Sequence, residues 1–471
     1  MPKVVLLSDV RGMDVGGELF MPLSMMAIGT ALRSIGCEIV LIDAQVEHDW
    51  KDLLRQHLPG ASMFGVSCLT GPSIHAVLDG IAIARSCAPE VPIVWGGYHA
   101  SQSFMGIFDE GLADYVVRGA GESAVVRLVE VLTATPPSAR LEALAAIPNL
   151  VFRDRDAVRG NDQTRLESIE LLAPLDYTLI DVERYFRDGQ RTIHCISSYG
   201  CPHACTFCAE PTQSLRRWRG LSPARVVDEM FRLVDEYQPD LISFHDPNFS
   251  SNPNRVVEIV RELRRGGRRI PILCDMRARD IVRIAQMIDL KELREVGFES
   301  IFIGLESGSD RLLKLIRKGS TAADALSACR QLDRAGIRTR TSFIHDLPDE
   351  NQNDSDLTFV LLEQLGALGH NQQSHHFYTP YPMTELYGQI VASKGILERD
   401  KSQREWADTS TYWGSKVWPG RADFRRAVLR RLYALQRKFP HAIERNALPV
   451  LRLIRPNTSD TASHVTETAR S

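Results

Sequence analysis

The sequence predicts an α/β protein with two parallel sheets. Two stretches of the chain alternate short β-branched runs with helical runs, which is the pattern of parallel strands joined by helices. The first stretch begins at "KVVLLSD" and ends near residue 135, and the second runs from "RTIHCISS" to about residue 395. We expect a doubly wound, Rossmann-like sheet in the first stretch and a partial or full α/β barrel in the second.

Residues 1–135 predict the strands of the doubly wound sheet in chain order. These strands are "KVVLLSD", "EIVLIDA", "MFGVSCL", "PIVWGG" and "ADYVVRG". The helices between them include "MPLSMMAIGTALRSIG", which ends at a glycine as helices commonly do. Residues 136–189 contain prolines and less periodicity, so they are interpreted as a connector with a small hairpin around "NLVFRDRDAVRGN".

Residues 190–395 contain six strand–helix units in succession, which favours a barrel over a second open sheet. Residues 396–455 are interpreted as a C-terminal helical region. There, "ADFRRAVLRRLYALQRKF" places an apolar face opposite its arginines, and we expect this helix to pack on its own domain. Contact with a membrane surface or an anionic substrate is the alternative. Residues 456–471 are polar and are expected to be a disordered tail.

Composition excludes several classes of protein. The 471 residues are 44% hydrophobic and 24% charged, as in ordinary globular proteins, and the net charge of −3 argues against nucleic-acid binding driven by overall charge. The apolar run at the N-terminus is too short for a signal peptide, and no apolar stretch is long enough to predict a transmembrane helix. The scattered cysteines do not resemble a secreted disulfide framework. We therefore expect a cytoplasmic protein.

Three cysteines directly follow the first predicted barrel strand. Cys201, Cys205 and Cys208 fall within eight positions, and the carboxyl ends of barrel strands carry the catalytic loops of such folds. Cubane iron–sulfur clusters are held by cysteine thiolates, normally four, so three ligands leave one iron with an open position. A zinc site is the alternative, and it needs a fourth ligand such as His203 or His194.

The segment "YGCPHACTFC" resembles the signature of the radical S-adenosylmethionine (SAM) enzymes, and the resemblance extends over residues 190–395. "FHDPNFSSNPNRVVEIVREL", "IGLESGSDRLLKLIRKG" and "TPYPMTELY" are similar to blocks of the subgroup with an N-terminal cobalamin-binding domain. The resemblance implies a [4Fe–4S] cluster on the three cysteines, with SAM on the open iron. It also implies cleavage of SAM to a 5′-deoxyadenosyl radical by one electron from an external flavodoxin- or ferredoxin-type donor.

The resemblance further implies which side chains contact SAM. Phe207 matches a position beside the adenine, with a packing aromatic as the alternative. Asp246 and Asn248 are candidates for the methionine ammonium, although Asp-Pro-Asn is also a common turn. Arg277 can pair with the carboxylate, and Glu306 can accept hydrogen bonds from the ribose hydroxyls.

One block departs from the pattern of the family. Asp346 and Asp349 in "FIHDLPDE" stand where glycines are common. This argues against a backbone contact to adenine at that turn.

For residues 1–135, the resemblance implies cobalamin at the carboxyl edge of the sheet, where open α/β sheets bind ligands. Glycines in the strand–helix turns allow a flat ring to approach the backbone, although tight turns use glycine anyway. The candidate contacts are Ser67, Thr70, Gly96, Gly97, His99, Gly119, Gly121 and Glu122. The Asp-x-His-x-x-Gly loop, whose histidine ligates cobalt in classical methylcobalamin enzymes, is absent from residues 1–150. No histidine of that type is therefore expected on cobalt.

The leading functional hypothesis is a cobalamin-dependent radical SAM methyltransferase that modifies an unactivated carbon of a small-molecule or natural-product intermediate. In such a reaction the adenosyl radical removes a hydrogen atom, methylcobalamin supplies the methyl group, and a second SAM restores it. The same cofactors can also serve ring formation or rearrangement without methyl transfer. A non-catalytic cobalamin or iron–sulfur binding module is a third hypothesis, but such a module needs no SAM-type blocks.

Overall fold

The computed structural model describes residues 1–10, 19–164, 168–394, 401–408 and 420–443. The first half of these residues forms a seven-stranded sheet with the strand order β2-β1-β3-β4-β5-β6-β7. Its strands are β1 (Lys3–Ser8), β2 (Glu38–Asp43), β3 (Met63–Ser67), β4 (Ile93–Gly96), β5 (Tyr115–Val117), β6 (Leu150–Asp154) and β7 (Ala157–Gly160). Its helices are α1 (Leu23–Ser34), α2 (Trp50–His57), α3 (Ser73–Cys87), α4 (Gly97–Asp109), α5 (Glu122–Ala134) and α6 (Pro137–Ala145).

The first five strands are parallel, and this part of the sheet is doubly wound as the sequence predicted. Strand β1 carries four consecutive apolar residues, Val4–Leu7, with no exposed surface. A continuous apolar run of this kind is typical of a parallel strand covered by helices on both faces. The order in which strands are added to the sheet reverses at β1, because β2 lies on one side of β1 and β3 on the other. At such a switch point an open α/β sheet offers a crevice at its carboxyl edge.

The predicted hairpin is confirmed, and it belongs to the first sheet. Strands β6 and β7 pair with each other in antiparallel register, and β6 also pairs with β5. Residues 150–160 of the predicted connector therefore extend the Rossmann-like sheet. The connector continues through three short 3-10 turns, at Ile169–Leu171, Tyr177–Leu179 and Val182–Tyr185, before the second sheet begins.

The second half forms a six-stranded, fully parallel sheet and a small two-stranded ribbon within the described residues. Its strands are β8 (Thr192–Cys195), β9 (Ser198–Gly200), β10 (Trp218–Gly220), β11 (Leu241–Phe244), β12 (Ile272–Asp275), β13 (Phe298–Glu306), β14 (Arg338–His345) and β15 (Asn371–Phe377). The order β15-β14-β13-β12-β11-β8 makes it a partial barrel, because β8 and β15 do not pair in the part of the chain that is described. Strands β9 and β10 form the antiparallel ribbon.

The described part of the second half contains eleven helices. They are α7 (Glu210–Gln213), α8 (Pro223–Tyr237), α9 (Pro253–Gly266), α10 (Ala278–Ile284), α11 (Lys291–Val296), α12 (Asp310–Leu315), α13 (Ala322–Arg334), α14 (Gln352–Gly366), α15 (Glu385–Lys394), α16 (Gln403–Ala407) and α17 (Ala422–Lys438). A further 3-10 turn lies at Phe249–Ser251. None of the helices in the described ranges is long and apolar enough to span a membrane.

Helix α17 packs on its own domain, as expected. Val428, Leu432 and Leu435 on its predicted apolar face are buried in the core of the second sheet, and Phe424 and Phe439 pack against that core. The polar tail after residue 455 lies outside the described residues. The expectation about it stays a prediction.

The start of α17 is fixed to the end of β14 by a buried carboxylate. Asp346 follows β14 and is fully buried, with Oδ1 2.8 Å from Arg421 Nε and Oδ2 2.5 Å from Arg425 Nε. Asp346 and Asp349 both have positive φ angles, 60° and 63°, which explains why glycine is common at these positions in similar sequences. Aspartate at position 346 costs backbone strain that glycine would not have. In return, its buried carboxylate forms ion pairs with Arg421 and Arg425.

We expect Asp346→Gly to destabilise the protein by about 2–3 kcal/mol, because removing one partner leaves two arginines without their buried carboxylate, while relief of backbone strain offsets about 1 kcal/mol. The free energy of unfolding and the protease sensitivity of residues 420–443 measure the effect. Asp349→Gly is the matched control, since Asp349 has the same backbone conformation and an exposed side chain. Equal stability of the two variants would contradict this account of Asp346.

Candidate active site

The three cysteines lie on one loop between β9 and α7. Gly200 immediately precedes the loop and has φ of 80°, and a Cβ there would lie 1.9 Å from the carbonyl oxygen of Arg217. Only glycine allows the chain to pass so close to β10. The β9–β10 ribbon therefore sets the direction in which the cysteine loop leaves the second sheet.

Hydrogen bonds hold the middle and the ends of the loop. The N–H of Thr206 donates to the carbonyl oxygen of Ile316 at 3.0 Å, and the N–H of Leu386 donates to the carbonyl oxygen of Thr206 at 2.8 Å. At the C-terminal end, the N–H of Glu210 donates to Cys208 Sγ at 3.4 Å. The loop is thus attached to the barrel before any ligand is bound.

The cysteine thiols are partly shielded from solvent. The pKa of Cys208 is raised to about 12, chiefly by burial and also by the neighbouring Cys205 and Cys201. Burial also raises the pKa of Cys201. Within the described residues, no group of three His, Cys, Asp or Glu side chains is already arranged as a metal site, the three cysteines included. Cluster binding must therefore gather the three sulfurs and displace their protons.

Arg277 fits a site for a negatively charged group beside the loop. Its Nη1 lies 3.6 Å from Cys205 Sγ, and its Nη2 is buried without a hydrogen-bond partner. A buried N–H without a partner is costly, so an acceptor absent from the protein chain is expected there. A carboxylate next to a thiolate-bound cluster meets that requirement, which agrees with the predicted role of Arg277 toward SAM.

Lys318 links Glu306 to Phe207 of the cysteine loop. Glu306 Oε1 lies 2.6 Å from Lys318 Nζ in a buried ion pair, and Lys318 Nζ stands 5.8 Å from the centre of the Phe207 ring. Glu306 has φ of 68°, a conformation that costs energy for a residue with a side chain. The side chain folds back over Gly304, where a Cβ would lie 2.5 Å from Glu306 Oε1.

Asp246 and Asn248 are brought to the site, but their polar atoms are bound to protein groups. Asp246 accepts hydrogen bonds from the N–H and hydroxyl of Ser197, both at 2.7 Å, and from the hydroxyl of Ser198 at 2.5 Å. Asn248 Oδ1 accepts from the N–H and hydroxyl of Ser250, and its amide nitrogen lies 3.4 Å from Asp280 Oδ2. In this structure both residues fix turns, and Asp246 fixes the turn that leads from β8 into β9.

A cavity of about 420 Å³ separates the carboxyl edge of the first sheet from the cysteine loop. The turns after β3, β4 and β5 form one wall, and β9, α7 and the segment before β10 form the other. Six of the eight predicted cobalamin contacts line it: Ser67, Gly96, Gly97, Gly119, Gly121 and Glu122. Gly97 has φ of 87°, and a Cβ there would lie 2.5 Å from Ser67 Oγ, so this turn requires glycine.

The other two predicted contacts, Thr70 and His99, do not line the cavity. His99 is fully buried; its Nδ1 lies 3.0 Å from Thr70 Oγ1 and its Nε2 2.6 Å from Gln403 Oε1. Both ring nitrogens are occupied by protein groups, and burial lowers the pKa of His99 to about 4. In this structure His99 joins the first sheet to α16.

Sequence reasoning missed a pair of histidines on the barrel side of the cavity. His245 lines the cavity and stacks on His194, with His194 Nδ1 2.6 Å from His245 Nε2. Phe20 contacts both rings edge-on. Burial lowers the pKa of His194 to about 3 and that of His245 to about 4, so both rings are neutral near pH 7. The parallel pairing of β8 with β11 brings them together, and a single-sequence pattern carries no signal of that pairing.

A charged pair inside the partial barrel was also not predicted. In the sheet, Asp275 at the end of β12 pairs with Phe302 of β13. Phe302 pairs on its other side with Arg340 of β14. Burial raises the pKa of Asp275 to about 7, and the nearby Arg340 acts in the opposite direction. The two side chains join other polar groups of this sheet, such as the buried Ser243, Thr341 and His375.

Comparison with known families assigns both halves of the chain. Residues 195–360 match the family model of the Radical SAM superfamily, and residues 13–129 match that of the B12 binding domain. The first match contains all three cysteines of the loop, and the second contains the turns that line the cavity. Both agree with the resemblance seen in the sequence.

Individual relatives include an uncharacterized methyltransferase of Pyrococcus horikoshii, 28% identical over 67% of this chain. The match covers 66% of that protein, just under two thirds of its length. An anaerobic magnesium-protoporphyrin IX monomethyl ester cyclase of Synechocystis is 25% identical over 84% of this chain and 78% of its own. The structure of the radical SAM methyltransferase TsrM from Kitasatospora setae, with cobalamin and a [4Fe–4S] cluster bound, aligns with a TM-score of 0.73 at 18% identity. That alignment covers 96% of this chain and 94% of TsrM, and it shows a common fold.

We expect Cys205→Ala to lose most of the iron and sulfide that the wild-type chain takes up on anaerobic reconstitution, because only two ligands remain on the loop. Iron and sulfide analysis with the visible absorption spectrum measures this. Cys87→Ala, on the far end of α3, is the matched control and should bind a full cluster. Full cluster content in Cys205→Ala would contradict the assignment.

The stability contribution of His99 should depend on pH. The pKa of His99 is lowered on folding, from about 6.5 to about 4. When the pH lies between these two values, His99 binds a proton in the unfolded chain but not in the folded chain. The free energy of unfolding therefore falls as the pH falls from about 6.5 toward 4. The difference in unfolding free energy between wild type and His99→Gln should therefore shrink by about 1 kcal/mol between pH 7.5 and pH 5.5. A difference that stays constant over this range would show that His99 is not held neutral.

Proposed function

We propose that this chain, a radical SAM enzyme with a B12-binding domain, is a cobalamin-dependent methyltransferase that acts on a carbon atom of a small-molecule biosynthetic intermediate. The observation that carries the proposal is the cavity between the carboxyl edge of the first sheet and the segments that flank the cysteine loop of the second. The turns of the first sheet would hold cobalamin, which would supply a methyl group, and the residues around the cysteine loop would hold the cluster and SAM, which would supply the radical.

The residues of the second sheet fit the binding of the cluster and SAM. Cys201, Cys205 and Cys208 would hold three irons, and Arg277 has an unpartnered Nη2 for the SAM carboxylate. Glu306 lies beside Phe207, which places a hydrogen-bond acceptor for a ribose next to an aromatic ring for an adenine. Asp246 supports this arrangement indirectly, because it fixes the turn from which the loop begins.

The residues of the first sheet fit a flat, amide-rich ligand. The wall formed by Gly96, Gly97, Gly119 and Gly121 leaves the backbone accessible, and Ser67 adds a hydroxyl group. When bound, the cluster and SAM supply a carbon-centred radical on the substrate, and cobalamin supplies the methyl group. The work of the protein is to hold these groups in line and to exclude water from the cavity.

His245 is the group on the barrel side that is best placed to contact the substrate. It lines the cavity and is neutral near pH 7, and its neighbour His194 fixes the orientation of its ring. A neutral imidazole can donate or accept one hydrogen bond, which suits a hydroxyl, carbonyl or amide on the substrate. An external one-electron donor is required for the cleavage of SAM.

Ring formation without methyl transfer is the second candidate. The Synechocystis relative is named a cyclase, and its match covers more of this chain than that of the Pyrococcus methyltransferase. Both functions use the same cofactors, so the cavity alone does not favour one over the other. They differ in whether SAM also serves as a methyl donor.

The fate of SAM distinguishes the two candidates without knowledge of the substrate. We expect the anaerobically reduced protein to form S-adenosylhomocysteine when cobalamin is bound, in addition to 5′-deoxyadenosine. With methyl-labelled SAM, the label should appear on cobalamin. Protein prepared without cobalamin is the control and should form 5′-deoxyadenosine alone. Once a substrate is known, each methylated product should be accompanied by one molecule of each nucleoside.

The opposite result has a clear meaning. If the cobalamin-bound protein forms only 5′-deoxyadenosine and no label reaches cobalamin, the methyltransferase proposal fails and the cyclase candidate is favoured.

A further inference from the structure

Two tyrosine–glutamate contacts cross the boundary between the two sheets in opposite directions. Tyr98 of the first sheet donates its hydroxyl to Glu210 of the second. Tyr199 of the second sheet and Glu122 of the first line the same cavity, and burial together with the nearby Glu122 carboxylate raises the pKa of Tyr199. We call these four residues the crossed tyrosine–glutamate pairs.

Each pair joins a turn of the first sheet to a position next to a cysteine. Tyr98 directly follows Gly96 and Gly97 in the turn after β4, and Glu122 directly follows Gly121 in the turn after β5. On the other side, Glu210 lies two residues after Cys208 and Tyr199 lies two residues before Cys201. Tyr98, Tyr199, Glu122 and Glu210 all line the cavity as well.

The carboxyl groups of the two pairs are buried, and the tyrosines are partly buried. Glu122 and Glu210 are each 6% exposed, and Tyr98 and Tyr199 are intermediate in exposure. Removal of the Tyr98 hydroxyl would take one hydrogen bond from the buried Glu210 carboxyl group.

Hydrogen bonds connect Glu210 to the cysteine loop. Its N–H donates to Cys208 Sγ at 3.4 Å, and its carbonyl oxygen accepts a hydrogen bond from Ser214 Oγ at 2.9 Å. Ser214 Oγ in turn lies 3.5 Å from the N–H of Cys201. Movement of Glu210 would therefore disturb the backbone at two of the three cluster ligands.

A third contact lies between the two pairs. Gln213 Nε2 lies 3.5 Å from the carbonyl oxygen of Gly119, and Gln163 Nε2 donates to the carbonyl oxygen of Gln213 at 3.0 Å. A Cβ on Gly119 would lie 2.7 Å from Gln163 Nε2, so the turn after β5 is closely packed against α7. This contact joins the turn after β5 to α7 between the two pairs.

We infer that the crossed tyrosine–glutamate pairs couple cobalamin binding to cluster retention. Cobalamin bound against the turns after β4 and β5 restricts Tyr98 and Glu122, and these in turn fix the chain on both sides of the cysteine loop. A coupling between two binding sites is reciprocal, so an intact cluster should also tighten cobalamin binding. The four residues act as positioning residues, and the inference depends on both cofactors but not on which reaction they serve.

Loss of iron to a ferrous chelator under anaerobic conditions tests the coupling without any substrate. In the wild-type chain, bound cobalamin should slow iron loss by about fivefold or more, the lower end of typical couplings between sites. In the double variant Tyr98→Phe/Tyr199→Phe, iron loss should be nearly the same with and without cobalamin. Each single variant should show an intermediate effect, which guards against a folding defect of the double variant.

Tyr185→Phe is the matched control. The Tyr185 hydroxyl donates to buried Asp43 Oδ2 at 2.7 Å, so the variant removes the same kind of bond, but neither residue lines the cavity. It should keep the full protective effect of cobalamin.

Two results would overturn the inference. If the double variant keeps the full protection, cobalamin shields the cluster directly from the chelator and the pairs carry no coupling. If the wild-type chain binds cobalamin but shows no protection, the two sites are independent. A wild-type chain that binds no cobalamin would overturn both the coupling and the proposed function. A chain that binds cobalamin without protection of the cluster would overturn the coupling alone.

Discussion

The structure depends on one constraint: the carboxyl edges of two parallel sheets face each other across a single cavity. Parallel sheets place their ligand-binding turns at the carboxyl ends of their strands. In this chain the turns after β3, β4 and β5 form one wall, and β9, α7 and the segment before β10, which flank the cysteine loop, form the other. Side chains as far apart in sequence as Ser67 and His245 therefore line the same volume.

Much of this arrangement was predictable because it depends on local patterns. The spacing of Cys201, Cys205 and Cys208 is contained in eight residues, and the glycines at Gly97 and Gly200 mark positive φ angles that other residues rarely adopt. The alternation of strands and helices was sufficient to predict both parallel sheets. Each of these signals lies within a short segment and needs no knowledge of distant contacts.

The remaining features depend on distant contacts, and the sequence carried no signal for them. Tyr98 and Glu210 are 112 residues apart, and His194 and His245 are 51 residues apart. His99 looked like a candidate ligand because it follows two glycines, but the structure places both of its nitrogens on Thr70 and Gln403. Asp246 looked like a ligand-binding residue, yet its hydrogen bonds to Ser197 and Ser198 give it a supporting role. In each case the partner decides the role, and the partner is remote.

The ion pairs of Asp346 bear on the order in which the chain matures during synthesis. Arg421 and Arg425 lie 75 and 79 residues after Asp346, so they leave the ribosome well after the strand that ends beside it. Until they arrive, burial of the Asp346 carboxylate is unfavourable, and the end of β14 stays accessible to solvent. The partial barrel therefore closes at this end only when its C-terminal helix docks.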